Sequence, residues 1–258
     1  MTTPATPKNV NEITPDWLTH ALRSPQSVNR SSITACRSEE IGQGTGFMND
    51  VSRLILTYDT PDQNLPHSII AKFPSHQPDL KHVADKLGTM QREISFYHQV
   101  ADNTILQTPS LYYSTTNSGN GTGVLLLEDL SHYRQGDSVK GCSKLEAELA
   151  IRQLAEFHAS WWGDNRINHL THLPTKEIEA PIYQEMYPNA WRSLLIKSAD
   201  FLPARLFSIG ERLHDDIRSI KTRLTRTPKT IIHGDYRLDN FFLSNESETQ
   251  SLIVFDWE

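Results

Sequence analysis

The residues of this chain best suited to chemistry are an aspartate, an asparagine five positions later, and a second aspartate sixteen positions beyond that. They lie in His233-Gly234-Asp235-Tyr236-Arg237-Leu238-Asp239-Asn240 and in Val254-Phe255-Asp256-Trp257. The apolar residues before each aspartate, Ile231-Ile232 and Leu252 to Val254, read as strands that deliver a carboxylate at their ends. Moving a γ-phosphoryl group needs a divalent metal to neutralise the triphosphate, oxygen ligands to hold that metal, and a carboxylate to orient the attacking hydroxyl. In this pattern Asp235 is placed to accept from the hydroxyl, and Asn240 and Asp256 to hold Mg2+.

The spacing keeps the His, Asp and Asn of the kinase catalytic loop, H-R-D-x-x-x-x-N, with Gly234 in place of its arginine. Together with the second apolar run and Asp256-Trp257, it resembles the aminoglycoside phosphotransferase and choline kinase branch of the protein-kinase-like fold. Within that branch it looks like the bacterial small-molecule phosphotransferases related to ecdysteroid-kinase-like proteins, and the resemblance covers nearly the whole chain. It implies an α+β, two-lobed architecture. Residues 1–127 would form a nucleotide-binding lobe of five antiparallel strands with a helix, and residues 128–258 a mainly helical catalytic lobe. It also implies ATP and Mg2+ as cofactors and a small-molecule hydroxyl as acceptor. The backbone of Glu128-Asp129-Leu130 would be the interlobe hinge that meets adenine. The family normally continues through further helices, so the second lobe is expected to be incomplete at Glu258.

The elements that must position these residues are legible as patterns. Thr14-Pro15-Asp16-Trp17 is an N-cap followed by proline at the first helical position, opening a short helix to about Leu22 with Trp17 and Leu18 inward. Strands are predicted over residues 34–40, 51–58, 68–73, 110–115 and 123–127. Gly42, Gly44 and Gly46 lie in the turn joining the first two strands, where glycine lets backbone N–H groups approach phosphate oxygens. Lys72 sits inside the apolar run Ile69 to Phe73 and must be paired or reach a cleft. Its partner is expected in Glu93, on an amphipathic helix over residues 83–101 whose apolar stripe is Val83, Leu87, Met90, Ile94, Tyr97 and Ala101. A strand lysine meeting a helix glutamate is how kinases hold the α- and β-phosphates.

In the second half, residues 132–141 read as irregular. Ser143-Lys144-Leu145-Glu146 is a capping box for a helix to about Trp162, with Ile151, Leu154, Ala155, His158 and Trp161 on one stripe and His158 as a core histidine. Helices are predicted over residues 183–198 and 206–224, the first with Tyr183, Tyr187 and Trp191 as a core stripe. Arg237 is placed either to steady the transferred phosphoryl group or to pair with Asp239, and His233 to brace its loop.

Composition excludes several classes. The chain has 31 acidic and 25 basic residues in 258, a formal charge of −6, which argues against a nucleic-acid partner. Cys36 and Cys142 are isolated and form no disulfide framework or metal spacing. Neither a signal sequence nor an 18-residue apolar run is present, so a cytoplasmic protein without a membrane partner is expected. Two rival functions remain: a nucleotide-binding module without catalysis, and a metal-dependent hydrolase built on His233, Asp235 and Asp256. The hydrolase would need more ligands than these two runs supply.

Overall fold

Apolar side chains recurring along five successive segments lay them into one antiparallel sheet in a computed structural model, which describes residues 5–23, 31–41, 49–60, 62–117, 122–244 and 251–257. The strands are β1 (Ile33–Glu40), β2 (Asn49–Tyr58), β3 (Ser68–Pro74), β4 (Leu111–Asn117) and β5 (Thr122–Glu128), in the order β1-β2-β3-β5-β4. The expected α+β class and five-stranded antiparallel sheet are borne out. Helix α1 (Pro15–Leu22) starts where its N-cap predicts, with the Thr14 hydroxyl accepting from the Trp17 N–H at 3.1 Å. Trp17 and Leu18 seal one sheet face with Leu54, Ile69, Val124 and Leu126, a layer in which each fully buried large side chain is worth roughly 1.5–3 kcal/mol.

The helix expected over residues 83–101 is two helices, α2 (Pro78–Leu87) and α3 (Thr89–Gln99). Gly88 divides them at φ 67, a left-handed conformation open to glycine, where its N–H closes α2 by donating to the Ala84 carbonyl at 2.7 Å. The break frees α3 to set its own direction, and residues 92–97 of it are all buried.

A second, three-stranded sheet is built from β6 (Arg134–Gln135), β7 (Phe241–Leu243) and β8 (Leu252–Val254), in that order and antiparallel. Two expectations change here. Ile231-Ile232 is not a strand, and Ile232 is exposed, because the pairing partner of β8 is the run after Asn240. Residues 132–141 are not wholly irregular, since β6 pairs with β7. Ile253 is well covered, and its strand gains a parallel bridge to Gln107.

Helix α4 (Lys144–Trp161) carries the complete capping box: the Glu146 N–H donates to the Ser143 hydroxyl at 3.2 Å, and the Ser143 N–H to the Glu146 carboxylate at 2.7 Å. Its buried residues are Ala150, Phe157 and Trp161, so Trp161 of the expected stripe is buried and Leu154 half-buried, while Ala150 and Phe157 take the buried places expected of Ile151 and His158. Ile151 and Ala155 face solvent and His158 is half-buried.

Contacts divide the chain into one unit of Met1–Ser160 with Ile232–Glu258 and another of Trp161–Ile231. The second unit is a helical hairpin of α5 (Lys176–Ser198) and α6 (Ala204–Leu224). Its helices approach where Trp191 lies on Gly210, leaving no room for a Cβ there, and the Tyr187 hydroxyl donates to the Gly210 carbonyl at 2.7 Å. No helix among the described residues is long and apolar enough to cross a membrane.

Candidate active site

Lys72 projects from β3 into an apolar setting, 5% exposed, and its ammonium donates to two carboxylates, Glu93 Oε2 on α3 and Asp256 Oδ1 just after β8, each at 2.6 Å. Glu93 is itself only 2% exposed. Removing charges from water is costly, so such a group persists only when its partners are close and well placed. Burial alone would lower the Lys72 pKa, but Asp256 and Glu93 outweigh it and hold the ammonium above its ordinary value. Conversely, Lys72 holds the Asp256 carboxyl below its ordinary range against the opposing effect of burial. Asp256 is at φ 65, a left-handed conformation that costs a non-glycine residue on the order of 1–3 kcal/mol.

The loop carrying Asp235 is tied to the loop carrying Asp256 by His233, a fully buried imidazole. Its Nδ1 accepts from the Asp235 N–H at 3.2 Å, so Nε2 carries the proton and donates to the Phe255 carbonyl at 2.9 Å. Burial pushes the His233 pKa down to about 4, which keeps the ring neutral, and the two hydrogen bonds fix its tautomer. Gly234 is at φ 99, so the departure from the H-R-D template is a backbone requirement rather than a lost cation. Asn240 is buried and its Nδ2 donates to the Asp235 carbonyl at 2.9 Å and to Asp235 Oδ2 at 3.1 Å. Tyr236 fastens the same loop to α4 through its hydroxyl, which donates to the Ala150 carbonyl at 2.8 Å.

Arg237 takes the pairing option left open by the sequence. Its Nε donates to Asp235 Oδ2 at 2.7 Å and its Nη1 to Asp239 Oδ2 at 2.6 Å. Asp239 also accepts from the Ser138 N–H and hydroxyl, and its carbonyl from the Gln135 side chain. The segment around β6 therefore clamps the loop. Gly136 is required there because a Cβ would overlap the Leu238 carbonyl.

The structure thus brings Lys72, Glu93 and Asp256 into one bonded cluster, and Asp235, Arg237 and Asn240 into another, with His233 between them. Glu128 is engaged elsewhere: its carboxylate accepts from the Ser110 N–H and hydroxyl, and its N–H donates to the Ser110 carbonyl. Leu130 is buried and its carbonyl accepts from the Tyr133 N–H. Gly42, Gly44 and Gly46 lie outside the described residues.

Several supporting residues escaped the sequence reading. Asp129, between the two hinge residues, is anchored by Arg53 Nε at 2.7 Å and the Ser68 hydroxyl at 2.7 Å. Trp257 stacks flat on Phe96 of α3, with centroids 3.7 Å apart and planes at 8°, and meets Phe157 and His233 edgewise or tilted. The signal for Trp257 was its place beside Asp256. Nothing local marks Arg53 as a partner of Asp129, which is 76 residues away.

The candidate donors here are hard oxygens from Asp256 and Asn240, a type that suits Mg2+ when phosphates and water complete the shell. Among the described residues no group of three His, Cys, Asp or Glu gathers as a metal cage, so the protein would supply only part of the coordination.

Residues 43–258 match the family model of the ecdysteroid kinase-like family. No curated protein matches. Solved structures similar to this chain include a GDP and kanamycin complex of an APH(2") enzyme, at 17% identity and a TM-score of 0.47, covering 88% of this chain and 68% of that one. A putative aminoglycoside phosphotransferase from Ralstonia eutropha is 16% identical with a TM-score of 0.47, covering 86% of this chain and 59% of that one. An ADP-bound aminoglycoside phosphotransferase, APH(2")-Ib, is 14% identical with a TM-score of 0.41, covering 87% and 66%.

Proposed function

The chain belongs to the ecdysteroid kinase-like family, and on that premise we propose that it serves an ATP- and Mg2+-dependent phosphotransferase that moves the γ-phosphoryl group to a hydroxyl of a small molecule. Residues 1–127 would handle the nucleotide and residues 128–258 the transfer. The observation that carries this reading is Lys72 held between Glu93 and Asp256 at 2.6 Å each, a buried cation presented from a strand beside a carboxylate suited to metal.

Asp235 orients the acceptor hydroxyl and takes its proton as the oxygen attacks the γ-phosphorus and the bond to the β-bridging oxygen breaks, releasing ADP. Among the described residues Arg237 and Asn240 both donate to Asp235 Oδ2, and in this reading Oδ1 is the oxygen that meets the acceptor. Asn240 and Asp256 would hold Mg2+, which would neutralise charge on the phosphates. Lys72 would turn from Asp256 towards the α- and β-phosphates while Glu93 keeps hold of it. Arg237 steadies the transferred group by releasing one of its two carboxylates. The backbone of residues 128–130 meets adenine through groups other than the Glu128 N–H and Leu130 carbonyl, which are already bonded within the chain.

The test is Asp235→Asn. Turnover, followed by ADP release across a panel of alcohols, should fall by about 10²–10⁴ while the affinity for a magnesium ATP analogue, measured by calorimetry, stays level. Parallel loss of both would remove Asp235 from the proposed role. Nucleotide binding with no turnover on any acceptor would move the protein to the class of binding modules without catalysis.

A further inference from the structure

Four residues after Glu93 on α3, and so on the same helical face, comes Tyr97. It is 4% exposed, and among the described residues its hydroxyl has no hydrogen-bond partner. A helical side chain leans over the turn that precedes it, which for Tyr97 is the turn carrying Glu93. Glu93 is bonded to Lys72, and Lys72 to Asp256. An orphaned hydroxyl in an apolar interior is costly, and buried polar groups of native proteins overwhelmingly hold a protein, water or ligand partner. The phenol also stays protonated, since burial and then the charges of Glu93 and Asp256 push its pKa well above the ordinary value. It is therefore a donor one helical turn after Glu93 and within the influence of the Glu93 and Asp256 charges, in a cluster of two carboxylates and one cation.

We propose that Tyr97 is a positioning residue: its hydroxyl donates to an ordered water, which in turn donates to the carboxylate of Asp256 and holds it when Lys72 moves away. The inference rests on the reading of Asp256 as a ligand of the magnesium nucleotide. It explains how an aspartate at φ 65 keeps its orientation once the lysine has transferred to phosphate. It also explains the choice of tyrosine among buried neighbours such as Ile94 and Phe96, where phenylalanine would satisfy packing alone.

Tyr97→Phe removes only the oxygen. Calorimetric titration with ADP should show about tenfold weaker binding in the presence of Mg2+, the loss expected for one hydrogen bond to a charged group, and unchanged binding in excess chelator. In urea the same variant should unfold earlier than wild type, and that difference should vanish when both proteins also carry Asp256→Ala. Unchanged magnesium-dependent binding would overturn the proposal, whatever happens to stability. So would a variant that unfolds later than wild type, the result expected of an idle hydroxyl. If the wild-type chain binds no nucleotide under either condition, the phosphotransferase reading fails by itself. The urea cycle then decides: coupling between positions 97 and 256 sustains the water bridge, and additivity overturns it.

Discussion

Two carboxylates lie equally deep in this protein, Glu93 in the first unit and Glu179 in the second, and the company they keep differs in sign. Glu179, 1% exposed, is met by Lys176 at 3.3 Å and by Lys221 at 3.1 Å, and Lys221 also lies over the Tyr183 ring at 3.6 Å. Two ammonium groups thus serve one carboxylate, and both lysine side chains keep some contact with water, at 23% and 18% exposure. Around Glu93 the bonded ratio is inverted, because the Lys72 ammonium, on a side chain 7% exposed, serves Glu93 and Asp256 together. The hairpin cluster is complete as it stands and acts as a fastener between α5 and α6. The bonded groups of the cluster in the first unit carry one negative charge in excess. Depth of burial is the same in the two clusters, and local charge balance is what differs between them.

Removing the cation from each side tests the comparison. Lys72→Met should leave two carboxylates uncompensated, lower the unfolding free energy by about 3–5 kcal/mol in urea, and abolish binding of magnesium nucleotide. Glu179→Gln should cost less, about 1–3 kcal/mol, because both lysines can relax into solvent, and should leave nucleotide affinity unchanged. Equal losses in the two variants would break the distinction. The smallest effect concerns His233, whose pKa is lowered from 6.5 to about 4 by burial. A proton that the unfolded chain accepts is refused by the folded one. Stability is therefore full above pH 6.5 and is lost as pH falls towards 4, by about 1 kcal/mol between pH 6.5 and 5.5. Urea midpoints in chelator across that range should show the slope in wild type and a flatter profile in His233→Asn.

The sheet was readable because each strand carries its own signal: apolar runs bounded by turn residues appear at β2, β3 and β5 within one or two residues of their observed ends. So were both halves of the ion pair, since a lysine inside an apolar strand is an anomaly that demands a partner. The errors share a cause. The two-residue run Ile231-Ile232 has strand composition, but only partners make a strand, and β8 takes its partner from residues 241–243. Gly88 reads as tolerable inside a helix, and only its left-handed backbone reveals a boundary. The clamp from Ser138 and Gln135 onto Asp239 spans more than 100 residues of chain and leaves no local trace.

The stack of Trp257 on Phe96 has a consequence for how firmly the charged cluster is held. The left-handed turn at Asp256 sends the carboxylate to Lys72, and the next residue sends an indole onto α3, three residues beyond Glu93. The spacing between the two carboxylates is thus set by aromatic contact as well as by the lysine they share. Dispersion between flat rings is indifferent to ionic strength, while attraction between ions weakens as salt is added. A cell whose salt concentration rises would loosen the grip of charges at the protein surface and leave this spacing as it was.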